Sequence, residues 1–201
     1  MSRSLNVFFG IVTGCCLLLS NGATLAQPPA DAEGIAQLFI AHATPGKPHQ
    51  QLQQMVGSWK TITHDYQSNP GQVIKSEGTS VFTSMMDGRF VKHVHHSTLN
   101  GQPFEGFGLS GYDNTQKKFV GFWVDNMGTG FLPLDGTYDE TTRTWTEQGD
   151  YHSPLGKMSF QALTQLKDDD HMGFTMFLLP EGGEEVKILE IEYTRQNPSD
   201  Q

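Results

Sequence analysis

The sequence predicts an all-β protein: an antiparallel up-and-down barrel of about ten strands, preceded by a short N-terminal helical segment. Three observations carry this reading. From Gly57 onward, short runs rich in Thr, Val, Ile, Phe, Tyr and Trp recur at close, even spacing. Turn residues separate them, among them Asn69-Pro70-Gly71, Met86-Asp87-Gly88 and Asn100-Gly101. The intervals are too short for the helical crossovers that parallel strands require. Closing such a meander removes its exposed edges, and a cylinder of about eight to ten strands encloses room for one small ligand. A two-sheet sandwich is the alternative that fits the same spacing.

The elements follow in order. Residues 1–26 read as a secretory signal peptide: Arg3, a mostly apolar run from Val7 to Leu19, then the small-x-small ending Thr24-Leu25-Ala26. The run is short for a membrane span, which takes roughly 20 residues. Val12-Thr13-Gly14-Cys15 also resembles a lipoprotein box, so an exported protein anchored through Cys15 is the alternative to a periplasmic or extracellular one. The chain's 2 cysteines are Cys15 and Cys16, so cleavage after Ala26 leaves no thiol chemistry and no disulfide. Residues 27–48 are a linker and a short helix. Asp31 is placed to cap a helix over Ala32 to Ala41, and Thr44-Pro45-Gly46-Lys47-Pro48 breaks it. A further turn or two is expected over His49 to Val56, with Leu52, Met55 and Val56 on one side.

The barrel domain spans 49–197. Its strands are expected over Ser58–Tyr66, Val73–Met85, Arg89–Leu99, Phe104–Tyr112, Lys118–Asn126, Thr129–Leu134, Gly136–Tyr138, Arg143–His152, Lys157–Leu166, His171–Leu179 and Glu185–Arg195. Asn100-Gly101 is a strong hairpin signal. As a two-residue loop it pairs Leu99 with Gln102 and His96 with Glu105. Side chains alternate along strands, so Phe90, Lys92, Val94 and His96 then share a face with Glu105, Phe107, Leu109 and Gly111. That face is the bulkier and more apolar, and is expected to point inward. A four-residue loop over Asp113 to Gln116 pairs Tyr112 with Lys117, adds Val120 and Phe122 to the inner face, and turns Trp123 and Asp125 outward. The glycines Gly106, Gly108 and Gly121 beside Trp123 either let the indole lie on bare backbone or open interior space.

Charge narrows the function classes. With 22 acidic against 13 basic residues the formal charge is −9, which argues against binding nucleic acid or an anionic membrane surface. At 36% hydrophobic, the chain can bury a real core.

The opening Leu52-Gln53-Gln54-Met55-Val56-Gly57-Ser58-Trp59 looks like the first-strand signature of lipocalins, in which Gly-x-Trp starts the barrel and the Trp plugs its closed end. Several further stretches point one way: Met86-Asp87-Gly88-Arg89-Phe90; Gly101 to Asn114; Trp123-x-Asp125-x-Met127-x-Thr129-Gly130; Gly136-Thr137-Tyr138-Asp139; and Glu190 to Arg195. Together they resemble the bacterial family known as domain of unknown function 1579, over about Gln50 to Arg195. The resemblance implies a lipocalin-like (calycin-like) barrel. It brings no reaction, ligand or catalytic residue with it.

The functional reading is an exported, non-catalytic binding protein for a small, largely apolar molecule. The ligand-binding candidates are His96, Glu105 and Asp125 as polar groups and Phe107, Trp123 and Met127 as walls. His93 and His95 share a face and are metal-ligand candidates, though a third ligand must come from another strand. The alternatives are a metal- or haem-dependent enzyme using His93, His95 and His96, and a structural or adaptor barrel without ligand. Gly108-Leu109-Ser110-Gly111 is one residue short of a nucleophile elbow and lies within a strand, so no catalytic residue is assigned.

Overall fold

The structure is a computed structural model that describes residues 32–196 except 70, 100 and 155. The signal-peptide, lipidation and cleavage expectations fall on residues outside that range. The contacts divide the chain after Leu38. The described part of the first unit is the start of helix α1, Ala32–Ala43. The second holds the end of α1, helix α2 (Lys47–Gln53) and ten strands.

The strands are β1 Gly57–Asp65, β2 Ile74–Met85, β3 Phe90–Leu99, β4 Gln102–Asp113, β5 Lys118–Asp125, β6 Leu132–Asp139, β7 Thr144–Ser153, β8 Gly156–Leu166, β9 His171–Leu179 and β10 Val186–Arg195. Each pairs antiparallel with its neighbours in sequence, and β1 pairs with β10, so the sheet closes into an up-and-down barrel with no free edge. The two pieces expected around Leu134 and Gly136 are one strand, β6. Gly136 continues it beneath β7, where a Cβ would meet the Thr146 carbonyl oxygen at 2.1 Å.

One end of the barrel is sealed. Trp59, Phe119, Trp145, Leu166, Met172 and Tyr193 are all buried there, with Leu52 and Met55 from α2 and the turn after it. Pro48 near the start of α2 supplies a pre-set φ, and the Gly46 N–H donates to His49 Nδ1 at 3.0 Å. This start lies two residues before the expected one. His49 packs edge-on against Tyr112 with ring centroids 5.8 Å apart. The Trp59 indole N–H donates to the Met55 carbonyl at 2.9 Å, and the Arg195 guanidinium lies 4.0 Å above its ring. Arg195 also donates to the carbonyls of Val56 and Gln54, at 2.7 and 3.0 Å. First and last strands are thus locked by one cation.

The β3–β4 hairpin has the expected register, Leu99 with Gln102 through Phe90 with Gly111. The β4–β5 register differs by two residues: Tyr112 faces Phe119, and Asp113 faces Lys118. Asp113 remains in β4 and its side chain accepts the N–H groups of Thr115 and Gln116. The loop is therefore Asn114 to Lys117, with Lys117 at φ 54°. The same device recurs where Asp139 accepts from Thr141 and Thr142, and Arg143 sits at φ 53°.

A shift of two preserves the alternation, so Val120 and Phe122 do share a face with Phe107 and Leu109. That face points outward, contrary to the sequence expectation. Val91, His95 and Phe119 of the opposite face are buried. The physical reason is the Trp123 indole. It lies inside, flat on β4, where a Cβ on Gly106 would come within 2.0 Å of it and one on Gly108 within 3.0 Å. The inward face of β4 is bare so that one large ring can fill it, and the apolar side chains of Phe107 and Leu109 are left outside.

Candidate functional site

Above the sealed floor the inward-facing residues are large but incompletely buried. Trp123, Leu132, Met158, Phe174 and Met176 keep accessible surface, while Trp59 and Trp145 of the floor keep almost none; Phe160 and Ala162, higher on β8, are buried as well. The barrel is therefore closed at one end, and several large inward side chains above the floor are only partly buried. Two shallow depressions of about 370 and 380 Å³ lie on the outer wall and share none of the polar lumen groups described next.

Alternation from Val91 carries His93 and His95 into the lumen. The His93 ring stacks on Phe82 at 4.0 Å between centroids and lies 5.2 Å from Trp123. Ser80, across from His95 on β2, is the hub of a polar cluster. Its Oγ lies 2.8 Å from His95 Nδ1 and 3.1 Å from His93 Nε2, and it also bonds the Tyr193 hydroxyl. Three partners use a hydroxyl's one donor and two acceptor positions, so Ser80 is structural and not a free nucleophile. His95 Nε2 meets Ser97 Oγ at 3.1 Å. Burial, aided by the neighbouring imidazole, pushes the pKa of His93 down to about 3 and that of His95 down to about 4. Both rings are neutral across the physiological range. Burial also raises the Tyr193 phenol.

Trp123 and Asp125 are the two ligand candidates that the fold brings inside. Trp123 Nε1 donates to Asp125 Oδ2 at 3.0 Å, and Asp125 Oδ1 accepts the Met127 N–H at 2.9 Å, so this carboxylate both orients the indole and caps the end of β5. His96 and Glu105, expected inside, are on the outer wall. Their side chains are 58% and 69% exposed, and Nε2 and Oε1 stand 3.7 Å apart. Phe107 is likewise outside, against Phe122 at 5.8 Å between centroids. Met127 is exposed in the β5–β6 loop. Among the described residues, no group of three or more His, Cys, Asp or Glu side chains gathers as a metal site, around His93 and His95 or elsewhere.

Sequence reasoning missed Glu147. It is the next inward residue after Trp145 on β7, placed between Gly136 of β6 and Ala162 of β8. Among the described residues no hydrogen bond or ion pair reaches its carboxyl group, and burial alone raises its pKa to about 7. The signal was available: Trp145, Glu147, Gly149 and Tyr151 alternate with polar residues, and Trp145 is an obvious core residue. Three further inward atoms, Thr61 Oγ1, Thr63 Oγ1 and Trp145 Nε1, are buried without a hydrogen-bond partner.

Fold and lumen define a class: a closed, lipocalin-like antiparallel barrel with one plugged end and a partly polar interior. The chain belongs to the family described as a protein of unknown function, DUF1579, whose family model matches residues 44–195. No curated protein matches it. Among solved structures it is similar to Rv2717c from M. tuberculosis, with a TM-score of 0.57 and 15% identity, covering 77% of this chain and 100% of that one. It is also similar to the S-type phycobiliprotein lyase CPES from Guillardia theta, with a TM-score of 0.54 and 10% identity, covering 79% and 97%. At these identities the likeness is one of fold.

Proposed function

We propose that the protein is an exported, non-catalytic binding protein that holds a small, largely apolar molecule in the barrel lumen. The observation that carries this is the contrast along the interior: a floor of fully buried aromatics beneath large apolar side chains that retain surface. A barrel that needed only to be stable would close over that surface, since each buried CH₂ contributes about 0.8 kcal/mol. Trp123, Met158 and Met176 offer flat and adaptable walls, and the few polar groups among them would fix a ligand's orientation. Export rests on the N-terminal pattern ending at Ala26.

Native mass spectrometry of protein purified from its source tests the reading. The expected result is a co-purifying small molecule that denaturation releases and that a lumen-filling Ala162→Trp variant fails to retain. Absence of any adduct, together with no saturable binding of an apolar fluorophore, would refute it. A Soret absorption lost on His93→Ala or His95→Ala would move the assignment to a haem protein.

A further inference from the structure

We infer that the lumen selects a largely apolar ligand carrying a basic nitrogen, and that the Glu147 carboxylate receives that nitrogen. This rests on the lumen-binding reading above and names the ligand's chemistry.

Three carboxylates lie on inward faces of the described strands. Asp65 accepts from the Gln67 and Ser68 N–H groups and from the Ser68 hydroxyl. Asp125 accepts from Trp123 and Met127. Among the described residues Glu147 accepts from nothing, and strand alternation places it on the inward face between Gly136 and Ala162. The strands packed against it bring no compensating charge. Leu134, Gly136 and Tyr138 flank it from β6, and Phe160, Ala162 and Thr164 from β8. The titratable groups nearby are the phenols of Tyr138 and of Tyr151 on β7. The lumen's bases, His93 and His95, are neutral.

An isolated buried carboxylate is costly and is not retained for stability, because glutamine or leucine would fill the site at less cost. A ligand that supplies the missing cation resolves the cost. A purely hydrocarbon ligand would leave Glu147 unpaired. An anionic one would meet Glu147 and Asp125, and the described strands offer no inward cation except Arg195, which is held on the floor by Trp59 and the Val56 and Gln54 carbonyls, inside a protein of net charge −9. Pairing with a cation draws the proton from a carboxyl group that burial otherwise keeps. Binding therefore releases a proton and strengthens as pH rises through about 7.

The test uses three matched probes on the full chain: 2-ethylnaphthalene, 2-(2-naphthyl)ethylamine and 2-naphthylacetate. Affinities are read by quenching of tryptophan fluorescence. The amine is expected to bind at least about tenfold more tightly than the hydrocarbon near pH 8, and the acid least tightly. Glu147→Gln should reduce the amine preference to about twofold or less while the hydrocarbon's affinity hardly moves. In the unaltered protein the preference should also shrink near pH 5.5, a readout that needs no variant. If the hydrocarbon binds and the amine binds no better, or the amine preference survives Glu147→Gln, the inference is overturned and lumen binding stands. If none of the three binds, both readings fall.

Discussion

Glutamine at position 147 should make the protein more stable, and only above the pH at which glutamate ionises in the unfolded chain. Glu147 has a folded pKa of about 7 against an ordinary 4.5, with burial as the cause. Between those values the unfolded chain has lost the proton while the folded one keeps it. Unfolding then releases a proton, so stability falls as pH rises from about 4.5 to about 7 and is level beyond. At 1.36 kcal/mol per pKa unit the full loss is about 3 kcal/mol, a ceiling that lumen water reduces. Glutamine has no such dependence. Urea midpoints for wild type and Glu147→Gln, taken across pH 4 to 8 on paired samples, isolate this one group, because the histidine contributions cancel in the difference. The difference should be near zero at the acid end and grow to between about 1 and 3 kcal/mol in favour of glutamine at the alkaline end. A difference independent of pH would mean that the carboxyl group titrates normally, and the reasoning about an unpaired buried acid would fail.

Four other perturbations have definite outcomes. His93 and His95 have folded pKa values of about 3 and 4, below the ordinary 6.5, so each contributes stability that is lost as pH falls from about 6.5 toward those values. His95→Gln should lessen the acid sensitivity of the urea midpoint even if it lowers stability at neutral pH. Gly106→Ala drives a methyl group into the Trp123 ring, which lies 2.0 Å from the Cβ position, and should cost about 1–3 kcal/mol and alter near-UV circular dichroism. Trp145→Ala removes a floor residue that is 2% exposed and should cost about 3–5 kcal/mol by thermal or urea unfolding. Removing the His96–Glu105 pair by double alanine substitution should change stability by less than about 1 kcal/mol and leave probe binding intact, since both side chains are on the outer wall.

Strand existence was legible because hydrophobic runs and turn residues alternate, although β6 was read as two pieces parted at Asp135, and the Gly101 turn set one register outright. The inside of the barrel was not legible by the same rule. On β3 and β4 the apolar residues Val94, Phe107 and Leu109 are outside, while histidines, serine and glycines are inside. Bulk and hydrophobicity mark the interior only when each strand fills its own share of it. Here Trp123 fills the share of two glycines on its neighbour, so the space belongs to β4 and the side chain to β5. The β4–β5 register was missed by two residues for a smaller reason. An aspartate that caps a loop was read as part of the loop, although its backbone still belongs to the ladder. Glu147 was overlooked because a lone glutamate in a strand usually faces water, and only its distance of two residues from a core tryptophan marks it otherwise.

The pairing of β1 with β10 has a kinetic consequence. Arg195 Nη1 bonds the Val56 carbonyl across 139 residues of chain, the longest separation among the described side-chain hydrogen bonds apart from its own bond to Gln54. That contact cannot form until the final strand has been synthesised, so every shorter nascent chain is an unsealed sheet with two adhesive margins. Loop-closure entropy is met last and all at once. A chain truncated before β10 should therefore self-associate through those margins, which size-exclusion chromatography would read as oligomers where the full chain is smaller.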